Sequence, residues 1–128
     1  MKTGIYEGNG TSNAFTNGPT IYTGFSPSFI LIKCVSSGQH WWLVDIERNP
    51  FNTDTINTLP LNPATQTAER NSEVGIDILS NGFKLVHGEG GINGNGDDYI
   101  WVAFAETPFK YANSPDLVTN NLSFLGKK

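Results

Sequence analysis

The sequence predicts an all-β fold: an antiparallel β-sandwich of jelly-roll, lectin-like character, with little or no helix. Three observations carry this. Five Asn-Gly pairs, at Asn9, Asn17, Asn81, Asn93 and Asn95, punctuate the 128 residues. Asn-Gly readily takes the positive φ that a tight hairpin turn requires. The runs between these corners are short and rich in β-branched and aromatic residues, and some alternate apolar with polar positions at the period of a strand. No long stretch shows the periodicity of an amphipathic helix. Charged residues are 16%, below the ~25% of ordinary soluble chains and too few to wet the faces of a helical bundle.

The elements follow in order. Thr3–Glu7 and Thr20–Thr23 read as weaker strands. Phe25-Ser26-Pro27-Ser28 forms a proline-fixed corner, and Phe29–Val35 is the strong strand after it. Ser36-Ser37-Gly38-Gln39 suits a tight antiparallel connection to a strand over Trp41–Asp45. Residues 51–71 carry Asn, Thr and Pro, with only Ile56, Leu59 and Leu61 as aliphatic anchors, and read as a long ordered surface loop. Such loops are often functional. Gly75–His87 is the clearest hairpin: Val74, Ile76 and Ile78 alternate with Gly75, Asp77 and Leu79. Ser80-Asn81-Gly82 turns the chain, and Phe83 and Leu85 alternate with Lys84 and Val86. Tyr99–Phe104 is apolar on both faces, which places it centrally, between two layers. The sandwich is assigned to residues 1–113, and 114–128 to a tail that docks on the domain or on a neighbouring subunit.

Composition narrows the function. The net charge is −4 with no basic run, so a partner bound through phosphate contacts, as nucleic acid is, is not expected. No apolar stretch approaches the ~20 residues of a membrane span, and the N-terminus lacks the apolar core of a secretory signal. Cys34 is the sole cysteine, which leaves no disulfide within the chain and no cysteine-based zinc site.

A catalytic centre is not expected. His40 and His87 stand at strand ends without a metal-ligand pattern, and both read as structural. Cys34 and His40 flank one turn, where a nucleophile and its base could meet. Yet Cys34 lies in an apolar strand, where free cysteine behaves as a small hydrophobe. Asn93–Asp98 is a crude calcium loop without EF-hand spacing, and a turn explains the same residues. Gly88-Glu89-Gly90-Gly91 leads into a turn and not into a phosphate-binding helix. Asp45 and Glu47 could serve glycoside hydrolysis, but with Arg48 next to them they read as an ion pair or loop anchor. No cofactor or metal is expected.

The aromatic residues, 12% of the chain, hold more functional promise. Trp41 and Trp42 are adjacent on a strand, so they point to opposite faces. One enters the core; the other meets solvent, a ligand or a partner. Tyr99 and Trp101 share a face. Aromatic rings stack on sugars and anchor interfaces, and candidate ligand-binding residues are Trp41, Trp42, Asp45, Tyr99 and Trp101.

Several strings also resemble one family. Gly24–Lys33, with GFSPSFILIK, is similar to the "GF-x-P" opening of a β-sandwich domain common in tailed-phage virion surface proteins. Trp42-Leu43-Val44-Asp45 with Arg48, and the SNGFK hairpin at Ser80–Lys84, resemble two further segments of it. Asn93–Glu106 followed by Pro108–Asn113 resembles its closing motif, AFAE-x-PF-KYAN. The resemblance spans about Thr3 to Asn113. It implies a lectin-like jelly roll without enzymatic activity: a head decoration, cement, spike or tail-fibre component, made in the host cytoplasm and placed on the virion surface. Implied partners are other virion proteins and further copies of the chain, as a trimer by analogy. The expected subunit contacts are Phe109, Tyr111, Leu117, Val118, Leu122, Phe124 and Leu125. A host-glycan adhesin is the alternative reading, and a glycan hydrolase the third.

Overall fold

A computed structural model describes residues 1–11, 17–48, 60–66, 68, 75–88 and 90–105. Among them are seven strands: β1 (Lys2–Glu7), β2 (Thr20–Tyr22), β3 (Pro27–Cys34), β4 (Trp41–Asp45), β5 (Ile76–Leu79), β6 (Gly82–Leu85) and β7 (Asp98–Ala105). They form a four-stranded sheet in the order β1-β7-β3-β4 and a three-stranded sheet in the order β2-β6-β5. Every pairing is antiparallel. Helical elements among these residues include a 3-10 turn at Ile46–Arg48 and one turn of α-helix, α1 (Gly90–Asn93). The glycine-rich run before residue 91 thus ends in a helical turn, too short to act as an anion site.

The two sheets pack face to face. From the larger sheet, Ile30, Ile32, Cys34, Trp42, Val44, Tyr99, Trp101 and Ala103 point inward; from the smaller, Ile21, Ile76, Phe83 and Leu85. Phe83 meets Trp101 edge-on across the gap, with ring centroids 5.9 Å apart. The alternation along β4, β7 and, from Phe29 onward, β3 follows from the two-residue period of a strand.

Two glycines make room for the tryptophans. A Cβ on Gly4 would lie 2.8 Å from Trp101 Cζ2, and one on Gly91 would lie 2.6 Å from Trp42 Cε2. The indoles therefore sit against bare backbone, where an added Cβ would force a shift. The Asn-Gly corners divide into two kinds. Gly10 and Gly96 sit at positive φ, 64° and 79°, as the turn argument requires. Gly82 does not: it begins β6, and the carbonyl oxygen of Ile21 occupies the place where its Cβ would be. The hairpin closes over Ser80-Asn81 alone, with Leu79 opposite Gly82.

Pro27 coincides with a register shift between β3 and β7, where a residue without an N–H does least damage to a ladder. Beyond β4, Leu61 extends the larger sheet by one bridge. Its N–H and carbonyl exchange hydrogen bonds with Leu43, each 2.9 Å. That places Leu61 of the long loop on the edge of the sandwich; Ile56 and Leu59 lie outside the described residues. So do residues 106–128, with Phe109, Tyr111, Leu117, Val118, Leu122, Phe124 and Leu125.

Candidate functional site

β7 and β3 are the two central strands of the larger sheet, as the apolar character of Tyr99–Phe104 predicts. That character also implies a covering layer on both faces. Among the described residues only one face is covered by the second sheet, and the other carries an apolar surface. The register shows how it is built. Ile5 on β1 lies opposite Ile100 on β7; Ile100 lies opposite Lys33, and Lys33 opposite Trp41. One row over, Thr3, Val102, Leu31 and Leu43 align across the four strands. Phe104 and Phe29 come next, with ring centroids 5.7 Å apart in an edge-on contact. Ile5 is 80% exposed, Phe104 41% and Ile100 37%. A sheet face that stays wet normally alternates to polar residues. This one keeps the apolar residues on both faces of β3 and β7.

The face ends at a shallow hollow of about 270 Å³ lined by Leu31, Trp41, Pro63 and Ala64. Trp41 projects here because Trp42 is held inside against Gly91 and successive side chains on a strand alternate. Asn62 braces the rim: its Nδ2 donates to the Trp41 carbonyl at 2.8 Å, and its own carbonyl accepts from Thr65 Oγ1 at 3.1 Å. Lys33, in the middle of the face, is turned aside. Its Nζ donates to the carbonyls of Cys34 and Gln39, at 2.7 and 2.8 Å, so it closes the β3–β4 turn. Asp45 is likewise engaged locally. Its Oδ1 accepts from Glu47 N–H at 3.1 Å and anchors the 3-10 turn, the loop-anchor role expected for it.

Of the five candidate ligand-binding residues, the sheet brings only Trp41 and Asp45 to the outer face. Trp42, Tyr99 and Trp101 are core residues, 2%, 0% and 4% exposed. Their shared faces are the inward ones, which removes them from any surface site. Phe29, Leu31, Leu43, Ile100, Val102 and Phe104 do not stand out in the sequence as binding residues. Their signal is present in the doubly apolar β3 and β7, but it reads equally well as burial between two layers.

The polar residues at the α1 end of the sandwich are absorbed by structure. Tyr6 and Tyr99 stack with centroids 4.9 Å apart. Tyr6 Oη donates to the Ile92 carbonyl at 2.7 Å, and Tyr99 Oη donates to the Gly90 carbonyl and accepts from Gly94 N–H. Burial drives both phenols above their ordinary pKa, and at Tyr6 the neighbouring Tyr99 adds to the effect. Asn93 is fully buried; it accepts from Asn9 N–H and donates to the His87 carbonyl. Asp97 accepts from Ser36 at 3.0 Å. The residues of the calcium-like loop thus clamp the β1–β7 end, and no group of three metal-binding side chains occurs among the described residues. Cys34 lies 3.1 Å from Ser37 Oγ. Burial raises its pKa, but hydrogen bonds from Ser37 and then Ser36 outweigh this and lower it. The thiol is fully buried and His40 is exposed, so this pair is not arranged as nucleophile and base. What the outer face can do is bind by apolar contact.

Residues 1–108 match the model of a family described as a domain of unknown function, DUF7483. No curated protein and no solved structure matches the chain.

Proposed function

We propose that this chain, which belongs to the DUF7483 family, is a structural domain of a phage particle surface that works by protein–protein assembly. It seats the outer face of its four-stranded sheet on neighbouring virion subunits. One observation carries the reading: an apolar surface runs across the central strands, with Ile5, Ile100 and Phe104 left exposed. Contiguous apolar patches on a soluble domain mark interaction sites. The motif resemblance at Ser80–Lys84 and Asn93–Asn113 supplies the setting, a virion surface. Other virion proteins and further copies of the chain are the proposed partners, and the apolar residues of 109–125 are a second proposed contact. No step of the reading needs catalysis or a cofactor.

The test is incorporation. Particles assembled with the wild-type chain should retain it through purification. Particles assembled with Ile100→Ser/Phe104→Ser should lose it while the isolated variant stays folded. Equal retention of the two chains would refute the role of this face.

Trp41 favours a second reading, a host-glycan adhesin, because its half-buried ring borders an open hollow. Sugar recognition also needs polar side chains beside the ring, and the hollow's lining of Leu31, Trp41, Pro63 and Ala64 supplies none. Glycan-array binding abolished by Trp41→Ala would support the adhesin; an array without hits would remove it.

A further inference from the structure

The larger sheet has two edges, and they are treated differently. Leu61 occupies the β4 edge. No strand among the described residues pairs with the outer edge of β1. Natural sheets blunt such an edge with proline, a bulge, a central charge or a very short strand. β1 has none of these. It runs six residues, Lys-Thr-Gly-Ile-Tyr-Glu. Its register with β7 is unbroken from Lys2–Ala103 to Glu7–Asp98. Its charges stand only at the ends, and Ile5 in the middle is 80% exposed.

The ladder fixes which backbone groups face outward. In an antiparallel pair, alternate residues direct both N–H and C=O to the same neighbour. Gly8 N–H donates to the Asp97 carbonyl at 2.9 Å. The even-numbered residues of β1 therefore serve β7, and Thr3, Ile5 and Glu7 present their amides and carbonyls to the open edge.

We propose that this edge pairs antiparallel with β1 of a second copy of the chain, across a two-fold axis at Ile5. Ile5 then lies opposite Ile5 of the second copy, and Thr3 opposite its Glu7. Every outward-facing group of one strand meets an outward-facing group of the other, in about six new hydrogen bonds by the ladder pattern. The sequence suits its own copy in this orientation. Lys2 and Glu7 stand at opposite ends, so the basic end of each strand lies beside the acidic end of its mate. A parallel pairing would set like charges together, which is destabilising. The same axis keeps both outer faces on one side of a continuous eight-stranded sheet, and the two Ile5 side chains join the Ile100 positions into one apolar band. A two-fold contact is isologous and closes on itself, so the assembly is a dimer and not the trimer that the motif resemblance implies. The inference deepens the assembly reading by naming a self-contact. A monomer that still enters particles would sink it alone; a dimer absent from particles would sink only the virion role.

Light scattering of the isolated full chain over a range of concentrations tests this. The expected mass is twice the 14.0 kDa of one chain. Ile5→Lys and Ile5→Glu each place like charges on the axis and should give folded monomers. These should melt where the wild type melts at concentrations too low for dimerisation, because the side chain is exposed within one copy and only the association term is lost. An equimolar mixture of the two should restore the dimer. Ile5→Cys should form a reducible cross-link, since hydrogen-bonded opposite residues have Cα atoms about 5.5 Å apart, within disulfide reach. Val35→Cys, also exposed, is the control. A wild-type monomer or trimer, a dimer that survives Ile5→Lys, or cross-linking no faster than the control would overturn the proposal.

Discussion

Replacing Gly91 by alanine should cost this fold more than its size suggests. The added Cβ would sit 2.6 Å from Trp42 Cε2 and 2.8 Å from Cζ2, closer still to Nε1. Real carbons do not approach so near, so helix α1 or the indole must move. Neither has room: Gly91 is buried and Trp42 is 2% exposed. Overpacking of a well-filled core costs about 1–3 kcal/mol. For a domain of this size each kcal/mol lowers the melting temperature by roughly 3–6 °C, so a drop of about 3–18 °C is expected. Gly38→Ala is the control, because nothing lies within 4 Å of its Cβ, and it should change stability by less than ~0.5 kcal/mol. Thermal melts followed by near-ultraviolet circular dichroism compare the two, with the tryptophan signal reporting the indole directly. Trp42 also sets the orientation of β4, and hence the outward placement of Trp41. Equal melting of the two variants would show that Trp42 does not pack against α1, and the inward–outward assignment of the tryptophan pair would fall with it.

Other consequences are measured separately. Ile100→Ser/Phe104→Ser gives up the buried three fifths of both side chains, roughly 2–4 kcal/mol, and should melt lower while remaining folded at the assay temperature. In a complex these side chains would bury the two fifths of their surface that remains exposed, about 0.6–1.2 kcal/mol each. Binding should therefore weaken by roughly 10- to 50-fold, read by titrating detached particles with the labelled chain. Cys34 should resist a thiol reagent in the native protein and react fully in denaturant, because access and not its lowered pKa decides; rapid native labelling would contradict its burial. Burial, partly opposed by Lys84, raises the Asp77 carboxyl above 3.8. A raised folded pKa means the folded state holds the proton more tightly, so the group favours folding most below pH 3.8 and loses that contribution as pH rises through the folded value. Asp77→Asn should therefore gain on wild type as pH rises from about 3 to 7 in denaturant titrations. A constant difference across that range would show that Asp77 is not desolvated.

Much of the fold was legible because strands announce themselves by alternation. Ile76/Ile78 against Phe83/Leu85 marked the inward face of the hairpin, and adjacent Trp41 and Trp42 had to point to opposite faces, although only the fold tells that Trp42 is the one inside. The positions of β1 through β7 follow runs visible in the sequence. Less legible was the division of labour among glycines. Gly82 looks like a turn residue and serves instead as a gap for the Ile21 carbonyl, a contact between segments 61 positions apart. The surface was the least legible. A central strand apolar on both sides is equally compatible with two covering layers or with one layer and a partner. Only the assembled register tells that Ile100, Val102 and Phe104 face away from the second sheet. Tyr99 and Trp101 were attractive as ligand residues for the very property that takes them inward. In the long loop over 51–71, composition alone does not distinguish Leu61 and Asn62, which touch β4, from their neighbours.

A density map of the intact particle carrying this chain is the most direct examination of the outer face. The β1-β7-β3-β4 surface should be found pressed against a neighbouring subunit, with Ile100 and Phe104 buried there. A sandwich seen with that surface bare to solvent and held by some other part, or particles that lack the chain altogether, would mean that its apolar face serves something other than assembly.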